Sequence, residues 1–530
     1  MNKILIVSLG TSKQLLSSAH LMDTLRANYP HTELHLLIDE SHRSYAPLLN
    51  HVSKFHMIQT EKIKKIVDGR LFSNGYALET LGENLAEVMN ENWDQVINQS
   101  NTTLSTLMTT VMLTENKIGV SLSDKGTTKH SCDWSLTMNY VNSSARRSPI
   151  ESNIIQSHLI GAPWRSASEP LKISDEYSQI ANQNFGRIRT MKAGDSKVIG
   201  ISLSQGYDGS YLSKETLSEV IGTLRESTQY IPVLLIDSKQ PSQKNMVNEL
   251  NLDFNNSLIS INIDLTAFTA VARNLDLFVS PATDQLVLAN LMQTESIELR
   301  NAEPFAVEPI VSTEHSRVLY FTEEKQLGSD IIFSINELFE SEMPVETMVT
   351  KNKSFACVKD EYGYFFSQIR GDVDLHSELN YHISRSIFFN LLGYPENQHL
   401  FKDIQEKCQK DHLKEYVNIV RSDLTGVVKI LLATLRALKG MRNSQDSLNS
   451  FLGYYDQLLA YGTQDSIVGA LIRFAEGRVE AIETDDAKEN FVQIEKELFE
   501  LKSNVQRVTE VCGYLMGDLT PDSKSTDKTA

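Results

Sequence analysis

The sequence predicts an α/β protein of two consecutive doubly wound domains followed by a helical domain. Three observations carry that reading. Short apolar runs alternate with helix-period segments from Lys3 to about residue 300, the alternation breaks once near residue 150, and beyond Met343 the apolar residues recur almost throughout at helical spacing. The expected bounds are 1–163, 164–342 and 343–519, with a polar disordered tail at 520–530.

The first segment, Lys3 to Gly10, is an apolar run closed by a glycine. Ser18 to Pro30 is helical in period, and Glu33 to Glu40 is apolar again, so the three form a βαβ unit. Residues 54–60, 94–98 and 117–122 read as further strands at spacings that fit crossover helices. The stretch Asn142 to Ser148 has little periodicity; it precedes a bridge helix that starts near Pro149 and is ended by Gly161 to Trp164. A second alternating block then runs through strands at 196–203, 231–237, 258–262, 275–281 and 295–299, with helices at 213–227, 243–250, 265–274 and 283–292. Residues 356–369 read as a hairpin turning at Asp360 to Gly363. Further on, Phe491, Ile494, Leu498, Leu501, Val505, Val508, Cys512 and Leu515 form a coiled-coil-like seam. Neighbouring helices of the same chain would make this seam a bundle face; a second copy would make it a dimer zipper.

At 530 residues, with 41% hydrophobic and 22% charged residues and only 13 Pro, the chain can bury several cores and is neither fibrous nor disordered overall. Lys plus Arg number 50 against 68 Asp plus Glu, a net charge of −18 that opposes a polyanion-binding face, so no nucleic acid is expected as partner. Cys132, Cys357, Cys408 and Cys512 lie far apart and match no metal spacing, which points to thiols of a reducing compartment. The apolar run Ile4 to Val7 is too short for a signal sequence and no later stretch reaches membrane-spanning length, so a cytoplasmic protein is expected.

Several segments of the first three fifths resemble glycosyltransferase family 9, the ADP-heptose:lipopolysaccharide heptosyltransferases of bacteria. Lys3 to Gly10 with Ser17 to Glu40 is similar to the family's first βαβ unit, and Trp93 to Thr110 to its Tyr-Asp-x-Val-Ile-Asp-x-Gln segment. Ser148 to Pro163 is similar to the bridge helix, and Leu265 to Leu299 to the donor-site block. The resemblance implies a GT-B fold, an acceptor on the first domain, a nucleoside-diphosphate sugar on the second, and inverting transfer without a metal or other cofactor. The acceptor class implied is a surface glycan or glycolipid, with peripheral association at the inner membrane. Two motifs depart from the family. The family's catalytic aspartate after the first strand is replaced by Lys13 in the turn Ser8-Leu-Gly-Thr-Ser-Lys13, and the donor motif Asp-Thr-Gly-x-x-His-Leu reads Ala282-Thr-Asp284-Gln-Leu-Val287-Leu288.

Inverting transfer needs a base for the acceptor hydroxyl and donors for the departing diphosphate. Lys13 stands at the position of the family's base. Asp39 and Glu40, closing the second strand, are the candidate carboxylates. Gly10, Thr11 and Ser12 in the first turn and Asn98 and Gln99 after the strand at 94–98 are candidate substrate contacts. Ser202, Ser204, Gln205 and the Gly206 backbone, with Thr283 at a helix start, are candidate diphosphate donors. Asp284 either takes a sugar hydroxyl or caps its helix. His20 reads as a helix-face histidine, Arg146 and Arg147 as a solvated basic pair or an anion contact, and no residues have metal-ligand spacing. The alternative to an active transferase is a catalytically degenerate relative that binds nucleotide-sugars or acts as a scaffold, with the helical domain as its partner or homo-oligomer interface.

Overall fold

A computed structural model describes residues 3–517 except 69–73, 143–146, 162–170, 193–195, 238, 302–304, 306–307, 311–312, 342, 344–349, 373, 396–397, 442–444, 483 and 485. Arg146, the expected 163/164 and 342/343 boundaries and the tail at 520–530 therefore lie outside, or partly outside, the described residues.

Among the described residues fifteen strands follow in order: β1 (Lys3–Ser8), β2 (Glu33–Asp39), β3 (Lys54–Ile58), β4 (Gln95–Asn98), β5 (Lys117–Ile118), β6 (Val120–Leu122), β7 (Thr128–His130), β8 (Lys197–Ser202), β9 (Tyr230–Asp237), β10 (Ile259–Ile263), β11 (Leu277–Pro281), β12 (Ser296–Arg300), β13 (Arg317–Tyr320), β14 (Lys353–Asp360) and β15 (Gly363–Arg370). The first sheet is parallel with order β3-β2-β1-β4-β5. The second has order β10-β9-β8-β11-β12-β13-β14-β15 and is parallel as far as β13. Both are doubly wound, as the alternation predicts, and their strands are apolar on both faces because helices cover both. Ile4 and Ile6 join one core cluster while Leu5 and Val7 join another, the period of two expected of a strand buried on both sides.

The residues at 117–122 form two short strands rather than one. Between them Gly119 has φ +90, and a Cβ there would lie 2.5 Å from the carbonyl oxygen of Asn98, so the chain leaves the sheet where only glycine fits. The hairpin at 356–369 forms, as β14 and β15, but it extends the second sheet antiparallel to β13 instead of opening a helical domain.

The chain divides into two compact units, 1–121 with 156–373 and 122–155 with 374–530. The first holds the five-stranded and the eight-stranded sheet. The second joins residues 122–155, which reach into the bridge helix Ser152–Leu159, to the C-terminal helices. Within it, helix Ala487–Met516 packs on helices Lys410–Gly440 and Ile467–Glu480. Leu498, Leu501, Val505, Val508, Cys512 and Leu515 are each at most 3% exposed, so helices of the same chain cover the seam from Leu498 onward. Charge anchors the early segment in this unit. Arg385 donates to Glu151 at 3.0 Å, Arg147 donates to Glu378 at 2.6 Å and stacks 3.5 Å over the Tyr381 ring, and Arg478 donates to Asp133 at 2.6 Å. Arg147 is thus a buried ion-pair member rather than a solvated or substrate-facing cation.

Candidate functional site

In a doubly wound sheet the ligand crevice lies beyond the strand ends where the strand order reverses. In the first sheet that point falls between β1 and β4, and in the second between β8 and β11. Apart from Asp39 and Glu40, which close β2, the sequence-nominated residues lie at or just beyond the ends of these four strands.

At the first switch point the loops fasten to each other. Leu9 N–H donates to Ser100 Oγ at 2.7 Å, and Thr11 caps helix Ser12–Asn28 in a capping box with Gln14. A Cβ on Gly10 would fall 1.7 Å from Gln14 Oε1, so a side chain there would displace Gln14 from the capping box, and 3.2 Å from Ser100 Cβ, a tight approach of the two loops. Asn98 is fully buried and donates to Val120 O at 2.8 Å, a fastener rather than a substrate contact. Gln99 donates to Gln14 O at 3.0 Å, while its Oε1 is buried without a partner among the described residues. The same holds for Ser8 Oγ and for both amide atoms of Asn101, whose φ of +49 is left-handed. Buried polar atoms left unpaired are costly, and these four lie at the ends of β1 and β4, beside the first switch point.

Asp284 joins the two switch points. Its Oδ1 accepts from Ser12 Oγ at 2.7 Å and from the Tyr207 hydroxyl, and its Oδ2 accepts from the Tyr45 hydroxyl at 2.5 Å. Ser12 and Tyr45 belong to the first domain; Tyr207 and Asp284 belong to the second. Burial first, and then the Asp284 charge, push both tyrosine hydroxyls well above their usual range, so they stay protonated and donate. The helix cap is Thr283 and not Asp284: the Thr283 side chain accepts from Leu286 N–H.

The expected diphosphate donors are engaged internally. Ser202 Oγ donates to Gln285 Oε1 at 3.0 Å and accepts from Ser204 N–H at 3.2 Å, and Ser204 Oγ accepts from Gln243 at 3.4 Å. Gly206 N–H donates to Ser210 O at 2.7 Å, and a Cβ there would meet Ser210 Oγ at 2.5 Å, so this glycine makes a tight turn. Gln205 donates weakly to Gly209 O at 3.4 Å.

Lys13 donates to the carbonyls of Glu308 at 2.9 Å and Pro309 at 3.4 Å, a strut between the domains, with burial lowering its pKa. Asp39 caps the following 3₁₀ helix, accepting from Ser41 N–H at 2.8 Å and Thr60 N–H at 3.3 Å. Burial opposes its ionised form, but the bonds from Ser41 and Thr60 outweigh this and hold the carboxyl below its ordinary value. Glu40 pairs with Arg43 at 2.8 Å at the surface. Neither carboxylate joins Asp284. His20 sits in the first helix with its Nδ1 buried and unpartnered among the described residues, and burial lowers its pKa to about 4. Among the described residues no group of three His, Cys, Asp or Glu is placed to hold a metal ion, and no helix is long and apolar enough to cross a membrane.

Sequence reasoning missed Tyr45 and Tyr207. Tyr45 lies in a short 3₁₀ helix with no periodic signal. Tyr207 stands in Gly206-Tyr-Asp-Gly209, whose glycines read as an ordinary turn.

No protein-family model matches the chain, and no curated protein matches it significantly. Solved structures similar to it include a family 9 glycosyl transferase from Veillonella parvula DSM 2008, at 15% identity over 65% of this chain and 90% of that one, with a TM-score of 0.44. Another is the E. coli ADP-heptose LPS heptosyltransferase II, at 14% identity over 64% and 98%, with a TM-score of 0.43. A UDP-GlcNAc 2-epimerase from Neisseria meningitidis bound to UDP-GlcNAc is similar at 14% identity over 64% and 91%, with a TM-score of 0.36. Identities of this size leave the chemistry to be read from this chain's own side chains.

Proposed function

We propose that the protein is a glycosyltransferase that takes a nucleoside-diphosphate sugar on the second α/β domain and an acceptor hydroxyl on the first. The observation that carries this is Asp284, a carboxylate at one switch point that hydroxyls from both domains reach. When the domains part, the Ser12 and Tyr45 hydroxyls leave it and an acceptor hydroxyl takes their place. The carboxylate, no longer occupied by those donors, then takes the acceptor's proton. The acceptor oxygen then attacks the anomeric carbon opposite the diphosphate, and the bond from that carbon to the diphosphate oxygen breaks with its electron pair leaving on the nucleoside diphosphate. In this reading the transfer inverts the anomeric centre and needs no metal. The segments resembling family 9 favour a heptose-like sugar donated to a bacterial surface glycan or glycolipid at the cytoplasmic face of the inner membrane.

A second reading, a nucleotide-sugar-binding relative without turnover, is favoured by one observation: Ser202, Ser204 and Gly206 spend their polar groups within the protein. Calorimetric titration with ADP, UDP and GDP and their sugars, paired with an assay for released nucleoside diphosphate, separates the two. Turnover that falls at least about a hundredfold in Asp284→Asn, the loss usual for a general base, supports the first. Binding without turnover supports the second, and no binding at millimolar concentration defeats both.

A further inference from the structure

The loop that follows β8 carries two half-exposed aromatic rings, Tyr207 at 52% and Tyr211 at 53%. This loop is braced at several points. Tyr207 N–H donates to Ala282 O at 2.9 Å, beyond the end of β11. Asp208 accepts from Ser210 Oγ at 2.6 Å and, through its other oxygen, from Asn301 N–H at 3.0 Å just past β12; Ser210 Oγ also donates to Leu299 O at 3.2 Å. Gly209, at φ +81, lets the turn close. The Tyr207 hydroxyl is itself fixed on Asp284, so the ring is held in one orientation with its body open to solvent. The Tyr207 ring, held at the switch point with few torsions to freeze on binding, offers a face for stacking, and the exposed Tyr211 ring lies four residues on in the same loop.

Two features of the same site weigh against recognition through phosphate. The hydroxyls and the backbone N–H that would meet a diphosphate are satisfied internally, and the carboxylate at the start of helix Asp284–Leu291 opposes the attraction that a helix N-terminus otherwise exerts on anions. We infer that Tyr207 and Tyr211 bind the base of a nucleoside, and that this site recognises its nucleotide mainly through the base, with the diphosphate adding little. The inference rests on the proposed nucleotide-sugar donor and names the part of it that is read.

Titration calorimetry on the full chain tests this with adenosine, uridine, ADP, UDP and inorganic pyrophosphate. The expected result is that one nucleoside binds within about tenfold of its diphosphate while pyrophosphate gives no heat. Tyr207→Ala and Tyr211→Ala should each weaken that nucleoside about tenfold or more, in the range a lost base–aromatic stack produces. Tyr207→Phe, which keeps the ring, should lose less than Tyr207→Ala. Circular dichroism and melting temperature establish that each variant is folded, and Tyr211→Ala, which leaves the Asp284 contacts intact, serves if Tyr207→Ala is not. A diphosphate that binds more than a hundredfold tighter than its nucleoside overturns the inference and leaves the proposed function standing. Tyrosine variants that bind like the parent do the same. If neither nucleosides nor diphosphates bind the parent protein, the inference and the proposed function fall together.

Discussion

Ser12 Oγ and Asp284 Oδ1 lie 2.7 Å apart although 272 positions separate them in the chain. Each is the first residue of its helix, Ser12–Asn28 and Asp284–Leu291, and the two helices pack on each other. The positive ends of two helix dipoles therefore converge, and one carboxylate offsets both. Asp284→Asn should reduce the stability of the unit holding both sheets by about 2 kcal/mol, since hydrogen bonds to a charged group contribute about 1.5–3 kcal/mol each and part of this cluster is solvated. Ser12→Ala should cost about half as much. Differential scanning calorimetry reads both, and an Asp284→Asn protein that melts with the parent would mean the cluster does not hold the domains together.

Asp39 is expected to be a structural cap. Asp39→Asn should lower stability by about 1 kcal/mol, the usual cost of weakening a cap. It should leave any turnover within about tenfold of the parent, because its oxygens are taken by Ser41 and Thr60. A hundredfold loss of turnover at unchanged melting temperature would restore it as a base.

Acid should destabilise the protein well above the carboxylate range. His35 Nδ1 lies 2.9 Å from His56 Nε2, both rings are buried, and Trp93 packs edge-on to both. Burial and then the His35 neighbour lower His56 to about 4; burial alone lowers His158 to about 4 and is the larger influence on His130, also about 4. In the unfolded chain these rings protonate near pH 6.5, so as pH falls from 6.5 toward 4 the unfolded state binds protons that the folded state refuses. Melting temperature should therefore drop across that window. In His56→Gln the drop should be shallower; an unchanged slope would show that the imidazole pair does not contribute.

Leu498→Asp with Leu501→Asp should unfold the helices of the second unit. Each leucine is at most 2% exposed, each contributes about 2 kcal/mol or more by burial, and an unpaired carboxylate in its place adds a further cost. Far-ultraviolet circular dichroism should lose helical signal. Retained helicity with a halved mass by light scattering would instead place the seam between two copies.

The sequence by itself determined the local elements of both sheets. Runs such as Val198 to Ser202 and Val233 to Ile236 are apolar on both faces because strands covered on both sides must be, and helix caps such as Thr11, Ser213 and Thr283 stand where a side chain has to satisfy free N–H groups. It also indicated which loops carry the site, since those loops follow the strands beside each switch point. Tertiary structure alone decided what the side chains in them do. Local pattern marks Asp39 and Asp284 equally as carboxylates at a helix start, yet Asp39 is closed by Thr60 at the start of a neighbouring helix while Asp284 meets Ser12 and Tyr45 of the other domain. In the same way, nothing near Glu151 signals that Arg385 will pair with it, or that β14 will add to β13. Periodicity reports which face of an element is buried, because burial acts on every third or fourth residue; it carries no record of which distant element covers that face. Contacts between residues more than two hundred positions apart are set by how the layers pack, and in this protein those contacts make the site.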